Sequence, residues 1–499
     1  MGVFHPGQGS HPGKRWDPAF AAVATHPLGP HGSSVDRSSQ RDCNFRPSRG
    51  ASIIGAALIA FHRKPKRRVC VISLDGVPRS LIAEAAALGE LGGLRSLWEE
   101  GGMVPLDSTM PPVSAVAWAT YATGVGPGVH GVYGFADRDP GTMSLYILDS
   151  SHIRARSLWE ILSGMGQRVA VINVPLTYPV GPVRGALVAG FPALDGAGLA
   201  YPPELGERLH REGYVVDLDP KLSRDPEVFF AALEAMLGER FALARELLER
   251  EWDFFHLHIM ATDRLHHFFF RSRLPEGPHH REFWRIYRLI EAGVLELVGD
   301  LPEGTELIFL SDHGFCELRW ELDLNAFLVE EGFLELGEGR GPEAVGPGST
   351  AYSLTPGRVY LLRRGRERGG HLGEEDAQAA LERLMTALER LTAPNGEPAI
   401  EAIHPREEIY HGPAAGLGPD LLVLPAPGVE LHSGWDAGDV FRRPRREGGH
   451  TFSGAFLWTR GRDPRPGGII DLGPTIFSLL GLPIPAEFQG TPLVTGAGT

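Results

Sequence analysis

Short apolar runs without polar alternation recur along this chain, each followed by a helical pattern, and nothing else in it constrains the fold so tightly. RRVCVISLD (67–75), RVAVINV (168–174), DFFHLHI (253–259) and TELIFL (305–310) are four such runs. Unbroken apolar segments of this length suit strands covered on both faces. Helical patterns lie between and around them, over 79–100, 114–124, 157–165, 227–251 and 281–298, with a last one near Pro474–Leu480. MVPLDST (103–109) reads as a further strand. Strand–helix alternation predicts an α/β fold with a mostly parallel sheet and helices on both faces.

Within the 499 residues, order is expected to begin at Arg67. Residues 1–50 hold seven Val, Leu, Ile or Phe among many Gly, Pro, Ser and His, a level associated with disorder. Residues 1–66 are therefore set aside as a disordered N-terminal segment. The α/β domain is expected over 67–319, interrupted by an inserted cap at 320–445, and completed by 446–499. Inside the cap, Leu336–Thr350 and Arg363–Gly373 read as surface loops. A strand at Arg358–Leu362 and a helix with Leu381, Leu384, Met385, Leu388 and Leu391 on one face complete it. No internal repeat is visible.

Composition excludes several functions. Acids number 62 and bases 48, a net charge of −14, which argues against general binding to a nucleic-acid polymer. Cys43, Cys70 and Cys316 are too few and too scattered for a disulfide framework or a cysteine zinc site, so a reducing compartment is expected. Ala51–Phe61 is apolar but falls short of the ~18–20 residues a membrane span needs. HRKPKRR follows it and no cleavage site does, the reverse of a secretory signal. A cytoplasmic protein is the expectation, with this short run as a membrane anchor the alternative.

In open α/β sheets, chemistry gathers at the carboxyl ends of strands. There the chain places Asp75, then Asp263 with His267 four residues on, then Asp312-His313; His450 precedes a late apolar strand. Singly, Asp75 reads equally as a helix cap, Asp263 and His267 as a helix-surface pair, and His450 as a surface histidine. Their recurrence at one end of one sheet favours a divalent cation, zinc before manganese or iron. Ser114 opens a helix just after Pro111-Pro112. Helix N-termini favour phosphate, although serine there is often only a cap. Asn173, Thr177 and Tyr178 lie past a strand end, as substrate contacts or as a Pro-rich turn.

These residues sit in motifs that together carry a resemblance: VISLDG, STMPPVSAVAWATYATGVGPGVHGV, NVPLTYPV, TDRLHHFFF, LSDHGF, PDLLVLP, GGHTFSGAFLW and IIDLGPTIFSLLGLPIP, in that order. The set resembles the alkaline phosphatase superfamily, most closely its type I phosphodiesterase/nucleotide pyrophosphatase branch, from about Val69 to Leu493. The resemblance implies an alkaline-phosphatase-like fold and two divalent metal ions. Asp263, His267 and His450 match the ligands of one ion; Asp75, Asp312 and His313 match those of the other. Ser114 matches the Thr or Ser nucleophile, which implies a phosphoserine intermediate. His266 competes with His267 for the ligand role, and the four-residue spacing from Asp263 favours His267. The implied substrate is a small phosphodiester or nucleotide; a phosphomonoesterase, phosphonate hydrolase or phosphoryl transferase on the same scaffold is the alternative, and a non-catalytic binding protein a weaker one. Ala117 stands where animal nucleotide pyrophosphatases carry a phosphate-holding Asn. The sulfatase signature is absent around Ser114, and no third-metal constellation is visible.

Overall fold

The computed structural model describes residues 67–193, 198–436 and 438–494. The tail expected to be disordered, with its apolar run at Ala51–Phe61, lies outside the described residues. Among the described residues, nine strands form the main sheet: β1 (Arg68–Leu74), β2 (Gly101–Asp107), β3 (Val169–Ile172), β4 (Gly185–Val188), β5 (Ala200–Tyr201), β6 (Phe254–Ile259), β7 (Thr305–Leu310), β8 (Ala455–Arg460) and β9 (Gly467–Gly468). Their order is β9-β2-β8-β7-β1-β6-β3-β4-β5. β8 and β5 run antiparallel to their neighbours, and every other pairing is parallel.

The helices that cover the sheet include α1 (Arg79–Leu88), α2 (Gly92–Trp98), α3 (Ser114–Thr123), α4 (Leu158–Gly164), α5 (Pro226–Leu248), α6 (Ala261–Phe269), α7 (His280–Gly299) and α8 (Leu472–Leu480), and Pro203–Glu212 packs at its edge. Alternate residues of β1 divide the core. Cys70, Ile72 and Leu74 pack with α1, α2, α5 and α7. Val69 and Val71 face α3, α4 and α8 on the other side. This two-sided burial is why β1 shows no polar alternation. The helix expected over 79–100 is two helices, because Gly89 closes α1 in the left-handed region (φ 76) and Leu91 follows at φ 55.

Residues 320–442 build separate sheets over their own apolar core. Trp320–Asp323 pairs with Val429–His432 and Phe441–Arg442. A four-stranded sheet runs in the order Ala351–Leu354, Arg358–Leu361, Leu421–Pro425, Ile400–Pro405. The helix Glu374–Glu389 lays Leu381, Leu384 and Leu388 into the same core. Arg363–Gly373 is a turn-rich loop with most residues at least partly exposed, as expected, and its charges also anchor it inward. Glu367 is buried between Arg138 and Arg366, while Asp420 gathers Arg363, Arg366 and Arg406. Unpaired charges are costly in a core, and these are paired. A two-stranded ribbon, Gly314–Glu317 against Gly448–Thr451, joins this region to the main sheet. Among the described residues, no helix is long and apolar enough to cross a membrane.

Candidate metal centre and nucleophile

β6, β1 and β7 are adjacent and parallel, so their carboxyl ends form one floor. Asp75 leaves β1, Asp312 and His313 leave β7, and α6 begins directly after β6 and carries Asp263 and His267. His450 arrives on the ribbon, with Phe315 opposite it. Gly76 is a required glycine: its φ is +63, and a Cβ would meet His313 and Phe315 at 3.0 Å. Its N–H instead donates to Asp312 Oδ1 at 3.1 Å.

Two clusters result. The ligand atoms of Asp263, His313 and His450 lie within 4.8 Å of one another, as do those of Asp75, Asp312 and His313. His267 joins the first cluster, with Nε2 3.1 Å from His450 Nε2 and 3.3 Å from Asp263 Oδ1. His313 thus stands between the clusters, and its ring stacks on His450 at 3.7 Å. His266 turns away: its Nδ1 meets the Gly76 carbonyl and its Nε2 the Tyr287 hydroxyl.

The donor set fits cations. Nδ1 of His267, His313 and His450 each reaches a backbone carbonyl, of Gly448, Gly314 and Pro112. A neutral imidazole that donates through Nδ1 presents an unprotonated Nε2, the arrangement metal-binding histidines use. With Nδ1 as donor, the Nε2 atoms of His267 and His450, 3.1 Å apart, would both turn lone pairs into the cluster, as two ligands of one cation do. Asp312 Oδ2 is buried without a hydrogen-bond partner. Burial, then the charge of Asp75, pushes the Asp312 carboxyl up to about 8. Burial opposes charge on His313, yet Asp312 and Asp75 lift its imidazole to about 10. Bound cations would displace such protons.

Ser114 is the first residue of α3 and does not cap it. Its Oγ lies 3.2 Å from His313 Nε2 and 3.4 Å from Asp75 Oδ1, on the edge of the second cluster. Asn173 donates to the Ala189 carbonyl and accepts from the Tyr214 hydroxyl, and Thr177 donates to the Val174 carbonyl and accepts from the Gly190 N–H, so both side chains are engaged by the protein itself. Ala117 is wholly buried in the apolar layer behind α3.

Sequence reasoning missed the groups behind the ligands. Asp75 Oδ2 accepts from Trp118 Nε1 at 3.2 Å and lies 3.1 Å from His258 Nε2. Asp263 Oδ2 accepts from Arg264 Nη1 at 2.9 Å, and Arg264 also clasps Asp217. Burial raises the Asp263 pKa, but His267 first, with His450 and Arg264, outweighs it and holds the carboxylate ionised. The one signal for His258 was the two-residue spacing of His256 and His258 within an apolar strand.

The family model described as type I phosphodiesterase/nucleotide pyrophosphatase matches residues 69–453. No curated protein matches the chain. Among solved structures, phosphonoacetate hydrolase from Sinorhizobium meliloti 1021 in complex with phosphonoformate superposes with a TM-score of 0.58 at 16% identity, covering 84% of this chain and 96% of that one. Murine ectonucleotide pyrophosphatase/phosphodiesterase 5 gives 0.52 at 13% identity over 84% and 96%. The human protein of that name gives 0.53 at 13% over 85% and 97%. These likenesses establish a shared fold, and the family match covers most of the chain. The chain belongs to the type I phosphodiesterase/nucleotide pyrophosphatase family and is an enzyme of its phosphoester-hydrolysing class.

Proposed function

We propose that the protein is a two-metal phosphodiesterase or nucleotide pyrophosphatase that works through a phosphoserine at Ser114. The observation that carries this reading is the Ser114 hydroxyl at the lip of the two clusters, 3.2 Å from His313 and not engaged in capping its helix. Asp263, His267 and His450 would hold one cation, and Asp75, Asp312 and His313 the other. Bound there, two divalent cations supply Lewis acidity for the attacking and leaving oxygens of an in-line displacement.

The chain's own part is arrangement. α3 aims Ser114 Oγ at the phosphorus, and the amino end of that helix favours the anion. The Oγ–phosphorus bond forms as the bond to the leaving oxygen breaks, and the departing alcohol or phosphate takes the serine proton. Water then cleaves the phosphoserine and restores the hydroxyl. Buried walls around Asp75, Asp312 and His313 exclude other water, while His450 keeps 18% of its side chain exposed as the open edge.

A phosphonate hydrolase or phosphomonoesterase is the second reading, since the fold is shared with phosphonoacetate hydrolase as well as with ectonucleotide pyrophosphatase/phosphodiesterase 5. Turnover of bis-p-nitrophenyl phosphate, p-nitrophenyl phosphate and phosphonoacetate by the zinc-loaded protein separates these. For the mechanism, Ser114→Ala should retain both metals and lose several orders of magnitude in turnover. Near-normal turnover with both metals in place would replace the phosphoserine with direct attack by water.

A further inference from the structure

Beneath the second cluster, a line of polar groups runs into the sheet where the surrounding core is apolar. Tyr121 OH is 3.1 Å from His256 Nδ1, and His256 Nε2 is 2.9 Å from Ser73 Oγ. Ser73 Oγ is also 2.9 Å from His258 Nδ1, and His258 Nε2 is 3.1 Å from Asp75 Oδ2. Ser73, Asp75, Tyr121, His256 and His258 are all fully buried. β1 and β6 pair Val71 with His256 and Ser73 with His258, which puts the four side chains on the face beneath α3.

The two ends fix the direction of this line. Asp75 Oδ2 accepts from the Trp118 indole N–H, which can only donate, so this oxygen is an acceptor. Two acceptors at 3.1 Å would repel, so His258 Nε2 carries the proton. His258 Nδ1 then accepts from the Ser73 hydroxyl, and Ser73 Oγ accepts from His256 Nε2–H. At the far end, burial keeps the Tyr121 hydroxyl protonated, and among the described residues its hydrogen bond is to His256 Nδ1. Both ends demand one arrangement: three hydrogen bonds in series, from Tyr121 through His256 and Ser73 to His258 Nδ1, which leave the His258 Nε2–H against Asp75 Oδ2 as a 3.1 Å charge contact outside hydrogen-bond alignment.

The line also closes on the nucleophile. Ser114, Trp118 and Tyr121 stand at i, i+4 and i+7 of α3, on one helix face. Trp118 grips Asp75 Oδ2 directly, and Tyr121 grips it through the line. With Oδ2 so occupied, Oδ1 is left to face Ser114 and His313.

We infer that Tyr121, His256, Ser73 and His258 form a one-directional relay of hydrogen bonds that positions Asp75 as a single-oxygen metal ligand and sets the distance of the Ser114 helix from it. His258 and Tyr121 are thereby positioning residues. The inference rests on the two-metal reading above and deepens it.

Zinc is the probe. His258→Phe should weaken one of two zinc sites ~10–100-fold in chelator competition, the usual cost of an outer-shell ligand partner, and lower kcat with KM little changed. His258→Gln, whose amide can donate to Asp75, should recover much of that loss. Tyr121→Phe keeps the buried ring and removes only the far hydroxyl. In metal-free protein labelled with 15N-histidine, His256 and His258 should both show the Nε2–H tautomer, and Tyr121→Phe should move both signals. A folded His258→Phe variant with both zinc affinities unchanged overturns the inference, as does an Nδ1–H tautomer at either histidine or signals unmoved by Tyr121→Phe. Absence of zinc binding by the unaltered protein would instead overturn the proposed function, since the tautomers are read without metal.

Discussion

Removing the Arg264 guanidinium should destabilise the metal-free protein severely, and part of the loss should be recovered when Asp217 is neutralised with it. Arg264 donates through Nε to both Asp217 oxygens at 3.0 Å, through Nη2 to Asp217 again, and through Nη1 to Asp263 at 2.9 Å. The side chains of Arg264, Asp217 and Asp263 are 11%, 4% and 1% exposed, so water screens little of this. Arg264→Met leaves two buried carboxylates without their cation, and breaking such a pair costs about 3–5 kcal/mol. Arg264→Met with Asp217→Asn removes one of those stranded charges. The double variant should therefore be more stable than the sum of the single losses by about 1–3 kcal/mol. Arg264→Lys should recover only part, because an ammonium cannot span Asp217 and Asp263 with a planar fork. Urea midpoints measured in chelator, with slopes compared to confirm that the unfolding transition is the same, give each leg of the cycle. A single-variant loss below about 1 kcal/mol, or strict additivity in the cycle, would refute the reasoning, since an exposed pair behaves that way.

Three further outcomes follow from the same structure. Asp312→Ala should reduce bound zinc by at least one ion in metal analysis of the purified protein, and full occupancy would contradict the second cluster. Burial pulls the His130 imidazole down from 6.5 to about 3, so its stabilising neutral form is fully present above about pH 6.5 and lost as pH falls toward 3. His130→Gln should therefore flatten the fall in stability between pH 5.5 and 4.5 by about 1.4 kcal/mol per pH unit, read from chelated urea melts. Arg138→Met should cost about 3–5 kcal/mol, because that arginine reaches Glu367, Tyr352 and the Leu417 carbonyl and lies 3.8 Å from the Tyr360 ring centroid, and protease should then cut within 320–442.

The sheet was legible because its strands are buried on both faces, and burial of that kind writes an unbroken apolar run. Thr305–Leu310 coincides with its strand, and Glu227–Glu251 overlaps its helix within a few residues. Asp75, Asp263 and Asp312 were legible because each follows such a run. The supporting groups were not. His258 meets Asp75 across 183 residues of chain, and Arg264 meets Asp217 across 47, contacts that strand register and loop packing create. Local pattern carries neither. Arg363–Gly373 was legible as a loop, but not the inward pairing of Glu367 with Arg138 and Arg366, because charges buried in mutual pairs read the same as charges in water.

The ribbon of Gly314–Glu317 and Gly448–Thr451 has a consequence for how such an enzyme diversifies. Glu317 and Gly448 face each other across it, so the chain leaves for residues 320–442 and returns at almost one point. In topological terms that whole region is a loop grafted on a hairpin. Closing a longer or shorter graft changes the entropy only logarithmically with its length. His313 immediately precedes one strand of the ribbon and His450 sits on the other, so the graft can be exchanged while both histidines keep their register. The floor that carries the two clusters and the grafted region are free to change at different rates.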